Sequence, residues 1–144
     1  MASNSVLPTS TETDLTNVTV ESAATQPSLT FRLDYENTGQ VAGKCDDLEA
    51  MKQAIYKIIN TERYEYIIYS WNYGIELKDL IGQPIPYVYA ELQRRITEAL
   101  EQDDRILEVT NFKFSHNDED VAVYFDVSTI YGNTSIKKVV AGIV

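Results

Sequence analysis

A chain of 144 residues, 44% of them hydrophobic, has the size and composition of one globular domain with a short appendage. Its 22 acidic residues outnumber 12 basic ones, for a net charge of −10, and the only adjacent basic pairs are Arg94-Arg95 and Lys137-Lys138. Nucleic-acid binding rests on basic patches that neutralise phosphates, so that function class is set aside. A single cysteine, Cys45, excludes an intrachain disulfide, and no apolar run approaches the roughly 18–20 residues of a membrane span.

Residues 1–30 hold twelve Ser or Thr and no Lys, Arg, Gly or aromatic residue. Such a segment cannot bury enough apolar surface to offset the entropy of ordering it. We read 1–28 as a flexible arm and 29–144 as the folded domain. Val18-Thr19-Val20 would tolerate a strand if the arm ordered on a neighbouring subunit. The N-terminus lacks the basic and apolar regions of a secretory signal, which points to a chain made in the cytoplasm. The glycosylation patterns at Asn17 and Asn133 are then chance matches.

Leu29, Phe31, Leu33 and Tyr35 alternate, Asn37-Thr38-Gly39 supplies turn chemistry, and 40–44 returns as a second strand. Asp46 opens a helix, with Glu49 three residues on as its capping-box partner. Leu48, Met51, Ile55, Ile58 and Ile59 share one face, and the helix ends near Asn60. Residues 61–77 follow, Thr-Glu-Arg-Tyr-Glu-Tyr-Ile-Ile-Tyr-Ser-Trp-Asn-Tyr-Gly-Ile-Glu-Leu, with five aromatic residues between Tyr64 and Tyr73. Tyr and Trp bury large rigid surfaces and keep a polar tip that wants a partner. This density suits a core element that continues into a subunit contact.

A helical turn is expected within 76–81, and Pro86 suits the first turn of a second helix over 87–101. Tyr89, Leu92, Ile96, Ala99 and Leu100 form its apolar side; Arg94, Arg95, Glu98 and Glu101 read as a solvated face. A strand over 106–114 carries Leu107, Val109, Phe112 and Phe114, whose phase slips at Thr110-Asn111, so one bulge there would return all four to one face. After the polar loop 115–120, Val121, Val123, Phe125 and Val127 alternate cleanly. Gly132-Asn133 turns the chain into a last strand with Ile136, Val139, Val140 and Ile143. This order predicts an α+β fold, a small mostly antiparallel sheet packed against two main helices.

Catalytic and metal chemistry find little purchase. One His and one Cys leave only carboxylates for a metal, Asp118-Glu119-Asp120 lacks the spacing of a calcium loop, and no glycine-rich phosphate loop is present. No metal or cofactor is expected. Glycoside hydrolysis needs only two acids, and Glu62, Glu65, Glu76, Asp103 and Asp104 flank the aromatic segment, so a cell-wall hydrolase stays open as an alternative. Arg105, after two acids, suits either a local ion pair or bidentate recognition of a partner's carboxylates and helix ends, and Arg63 has the same two readings.

Glu62-Arg63, then Asn72-Tyr73-Gly74-Ile75-Glu76-Leu77, then a helix leading to Asp103-Asp104-Arg105-Ile106 and a two-strand tail, resembles the small baseplate wedge protein of contractile tails. That family, also called the sheath initiator, occurs in myophages, R-type bacteriocins and type VI secretion systems. Residues 61–64 and 69–74 look closest to its branch in PBSX-like prophages and tailocins. The resemblance covers about residues 28–135. It implies a structural, non-enzymatic part, made in the bacterial host cytoplasm and assembled into a virion or tailocin. Its implied partners are the larger wedge subunits and the tail sheath, with tail tube or hub proteins as further candidates. The family's Glu-Pro-Arg triplet, which fits into the wedge bundle, falls on Asp103, Asp104 and Arg105. The proline is lost, which frees a φ angle and restores an N–H. The implied wedge-binding residues are Glu62, Arg63, Asp103, Asp104 and Arg105, so Arg105→Ala is expected to fold yet block wedge assembly. Strand addition by sheath arms would use Phe31, Leu33, Tyr124, Val139 and Val140. A cytosolic adaptor on the same fold is a third reading, which absence of the chain from assembled particles would favour.

Overall fold

A computed structural model describes residues 25–35 and 37–142. Most of the N-terminal arm, including Val18–Val20 and Asn17, lies outside the described residues, as does Ile143. The element order is β1 (Thr30–Leu33), β2 (Val41–Cys45), α1 (Asp47–Ile59), a 3-10 turn (Lys78–Leu80), α2 (Ile85–Leu100), β3 (Ile106–His116), β4 (Val121–Thr129) and β5 (Gly132–Val140). The fold is α+β as expected. The strands divide into two antiparallel sheets, a β1–β2 hairpin and a three-stranded sheet in the order β3-β4-β5.

Alternation in β4 sends Val121, Val123, Phe125 and Val127 to one face, and all four are buried. The two helices lie on that face, α1 along β5 and α2 along β3. Met51, Ile55 and Ile59 from α1 meet Val88, Leu92, Ile96 and Leu100 from α2 over the sheet, in one continuous core. Each such side chain contributes about 1.5–3 kcal/mol through burial. The helical spacing of these residues is the physical cause of the layer.

The bulge in β3 falls where the phase slips. The register shifts between Thr110 and Lys113, and Asn111 takes φ 56°, a left-handed conformation that Asn tolerates. Val109 is buried, and Phe112 and Phe114 pack against the core beyond it. A second irregularity between Ile106 and Glu108 was not anticipated. It buries Ile106 and leaves Leu107 64% exposed, so Leu107 does not join that face. β3 also runs on through His116, whose Nδ1 lies 2.8 Å from the Tyr89 hydroxyl. Gly132 already pairs with Thr129, so the last turn is Ile130-Tyr131, two residues earlier than Gly132-Asn133.

Asp46 does cap α1, accepting from the Asp47 N–H at 2.8 Å and from the Ser28 hydroxyl. The reciprocal bond expected from Glu49 is replaced by an ion pair with Arg32 at 2.8 Å. Asp47 has φ 50°, so the first turn departs from the helical geometry a capping box needs. Pro86 occupies the first turn of α2 as expected.

Gln53, buried within α1, makes a connection that periodicity could not suggest. Its amide donates to the Phe31 carbonyl and accepts from the Leu33 N–H, both at 2.8 Å. One residue of a parallel strand would satisfy the same two groups, so Gln53 closes that stretch of β1 against α1. Gln53→Ala strands two main-chain groups and should cost about 2–4 kcal/mol. Urea unfolding of the variant checks this, and a loss below about 1 kcal/mol would show that water replaces the amide.

Candidate functional site

The 61–77 segment is where the structure departs most from expectation. It forms no helix or strand but a loop whose exit reaches the core through Tyr73, Ile75 and Leu77, its only ladder contact being a parallel bridge between Glu62 and Ile75. The base is tightly closed. Ile75 donates its N–H to Thr61 at 2.9 Å, and Arg63 donates its N–H to Ile75 at 3.1 Å. Gly74, at φ 91°, passes so close that an added Cβ would stand 2.5 Å from the Thr61 carbonyl oxygen.

Glu62 and Arg63 hold this base from two sides. The Glu62 carboxylate accepts from the N–H groups of Leu77 and Lys78 at 3.1 and 3.3 Å, at the start of the 3-10 turn, where a negative charge is favoured. The Arg63 guanidinium donates twice to the Gly74 carbonyl, at 3.2 and 3.1 Å, and once to Glu98 on α2 at 3.1 Å. Its side chain is 11% exposed. Both residues are thus engaged within the chain.

Beyond the base the aromatic tip lies outward. Ile67 is fully exposed, Ile68 and Trp71 are each 85% exposed, and Tyr64, Tyr66 and Tyr69 are also exposed. Of the five aromatic residues only Tyr73 packs against the core, and Tyr69 stacks on it at 4.5 Å. Burial, aided by neighbouring Tyr69 and Asp103, pushes the Tyr73 hydroxyl above its ordinary pKa.

Arg105 stands at the junction of α2 and β3 with its side chain 10% exposed. Its Nε and Nη2 donate to the two oxygens of Asp103 at 2.8 and 2.6 Å, its Nη1 donates to the Pro27 carbonyl at 3.2 Å, and its own N–H donates to Asp103 at 3.0 Å. The local-ion-pair reading therefore describes the free chain. Burial by itself would raise the Asp103 carboxyl, but the bonds and charge of Arg105 outweigh it and hold the group below the usual carboxylate range. Asp104 is exposed.

The five wedge-binding candidates do not form one patch. Asp103 and Arg105 share a groove of about 470 Å³ with Pro27, Ala50, Ala54 and Tyr73. Arg63 lines a separate, smaller recess of about 210 Å³ with Glu76, Arg94, Arg95 and Glu98. The sheath-side candidates also divide. Phe31 is 65% exposed and Leu33 half-buried on β1. Tyr124 and Val139 share the outer face of the three-stranded sheet, whereas Val140 points into the core at 8% exposure. Two neighbours in one strand cannot share a face.

Arg95 was assigned to a solvated face, and the structure corrects this. It is 11% exposed, donates to Asp79 at 2.8 Å, to Glu91 at 3.0 Å and to the Glu76 carbonyl at 2.8 Å, and so ties α2 to the segment after the loop. The Arg95 bond lowers the Asp79 carboxyl. No spacing signal could have revealed it, because Asp79 belongs to a turn with no helical phase shared with α2. Among the described residues no group of three or more His, Cys, Asp or Glu is arranged to hold a metal ion, and no helix is long and apolar enough to cross a membrane.

A loop pinned at its base that presents aromatic and aliphatic side chains from a small α+β domain marks an interaction surface. Residues 29–132 match the contractile injection system sheath initiator family, and the chain belongs to that family. It is similar to the phage-like element PBSX protein XkdS of Bacillus subtilis (strain 168), 37% identical over 133 residues that cover 90% of this chain and 94% of the relative. The chain is accordingly a structural protein of a contractile injection system of the phage-tail kind, associated with other tail components.

Proposed function

We propose that this chain joins the wedge bundle of a contractile-tail baseplate and templates the sheath by accepting strands at its sheet edge, acting by contact and not by catalysis. One observation carries the templating reading: among the described residues β5 pairs with β4 alone. A strand with one unpaired edge is a ready acceptor for another chain, main-chain bonds supplying affinity and alternate side chains the register. Val139 and Tyr124, exposed on the outer face, would meet the added strand's neighbours. Wedge subunits would dock against two neighbouring surfaces, one braced by Glu62 and Arg63 and one by Asp103 and Arg105, with Asp104 exposed beside the second.

The non-enzymatic part of the reading is supported by the state of the acids. Glu62 is bonded to main-chain N–H groups, Glu65 to Lys78 at 2.9 Å, and Asp103 is held in its charged form. A general acid needs a raised carboxyl, and that of Asp103 is lowered.

Hydrogen exchange compares the free chain with assembled particles. Alternate β5 amides should exchange quickly in the free chain and become at least about ten-fold slower in the particle. Equal rates in both states would remove the strand-addition reading. In parallel, the wild type should release no fragments from peptidoglycan, and robust turnover that disappears in Glu62→Gln would replace the structural reading with a hydrolase.

A further inference from the structure

Glu62 and Arg63 are bonded within the chain, whereas the loop they brace ends in the most exposed apolar surface of the described residues. We propose that this tip, Tyr64, Tyr66, Ile67, Ile68, Tyr69 and Trp71, is itself the docking surface, and that it receives an uncharged, apolar face of a different protein subunit. Glu62, Arg63 and Gly74 are positioning residues that hold it. The inference rests on the assembly role proposed above and names the surface used.

Composition and a pinned base make the tip a site. Tyr and Trp are enriched at the energetic centres of interfaces. Exposed apolar patches of several hundred Å² on a monomer mark binding surfaces, and a standard interface takes about 800 Å² from each partner. The closed base means the loop is already shaped before contact, which lowers the entropy lost on binding.

Charge selects the occupant. Residues 66–73 carry no charged side chain, and Glu65 beside them is neutralised by Lys78 at 2.9 Å. In a chain of net charge −10 this neutral face stands apart, and it holds no charged group to form an ion pair with a basic or an acidic ligand. A second copy brings another ten negative charges toward the first, and an anionic membrane surface repels the chain in the same way. Among the described residues the hydroxyls of Tyr64, Tyr66 and Tyr69 make no side-chain hydrogen bond. The fitting surface therefore combines apolar side chains with neutral acceptors such as carbonyl groups.

The test uses the full-length chain within the assembling particle. A photoreactive benzoylphenylalanine placed at Ile67 should crosslink to another tail subunit, identified by mass spectrometry, in particles but not in the free chain. The double variant Ile68→Ser, Trp71→Ser should keep the wild-type melting temperature, because both side chains are exposed, and should lower incorporation at least about ten-fold. Crosslinks to a second copy of this chain, binding of the free chain to neutral or anionic vesicles through these two residues, or unchanged incorporation with no crosslink would each overturn the inference. The last outcome leaves the baseplate role standing. Absence of the wild-type chain from particles removes that role and this inference together.

Discussion

Arg105→Ala should lower folding stability by about 3–5 kcal/mol, the cost of breaking a buried ion pair by removing one partner. The variant leaves the Asp103 carboxylate largely buried without its bidentate donor and frees the Pro27 carbonyl. Read from the sequence alone, this substitution would spare the fold and block assembly; with the side chain 10% exposed, the fold itself suffers first. The effect of pH separates the charge from mere loss of packing. In the wild type the Asp103 carboxyl is lowered, so its contribution is complete above the ordinary Asp pKa of about 4 and is lost as pH falls through the lower folded value. In the variant, burial acts without the guanidinium and raises the carboxyl. The deficit is then largest near neutral pH and shrinks as acid protonates Asp103. Urea unfolding of both proteins near neutral pH and near about pH 4.5 measures the gap, and a deficit that is small, or equal at both values, contradicts the buried-pair account. Pairing Arg105→Met with Asp103→Leu should recover most of the stability, because it removes both charges.

Gly74→Ala should cost about 2–5 kcal/mol and open the base of the aromatic loop. Two penalties combine. At φ 91° a side chain is strained whatever the space, and the new Cβ would meet the Thr61 carbonyl oxygen at 2.5 Å and the Arg63 nitrogen at 3.3 Å. Both obstacles are backbone in the closed base, so neither can swing aside as a flexible side chain would. Gly82→Ala is the matched control: its φ is also positive, 80°, but nothing lies within 4 Å of the added Cβ. It should lose only about 1 kcal/mol. Trp71, the single tryptophan, reports on the loop directly, and its fluorescence anisotropy should fall in Gly74→Ala and hold in Gly82→Ala. Equal losses in the two variants would mean that the close approach to Thr61 carries no weight.

These two sites also mark how far the sequence could be read. The order Glu62-Arg63, Asn72-Tyr73-Gly74 and Asp103–Ile106 identified the family, and that resemblance is confirmed by the matched residues 29–132. The same order did not say which way the side chains point. The resemblance implies partner contacts for Glu62, Arg63 and Arg105, and in the free chain each is also bonded within its own chain. Val139 and Val140, both implied by the resemblance for the sheath side, fall on opposite faces, since alternation separates neighbours in a strand. Arg95 reads in the sequence as part of a solvated face and instead bridges α2 to the segment after the loop.

What the sequence by itself determined were the elements whose signals are local and periodic. The four alternating residues of β4, the apolar faces of α1 and α2, the cap at Asp46, the bulge at Asn111 and the α+β order all arise from contacts or conformations set within a few residues. Only the tertiary structure decided the pairings between distant segments: Gln53 with β1, Arg63 with Gly74 and Glu98, Arg105 with Pro27. A guanidinium or an amide carries the same chemistry on a surface and in a buried bridge, and what separates the two is the desolvation supplied by residues far away in the chain. The aromatic loop obeys the same physics in reverse. Its composition favoured burial, but its pinned base directs the tip outward, and this chain contains nothing among the described residues that covers it.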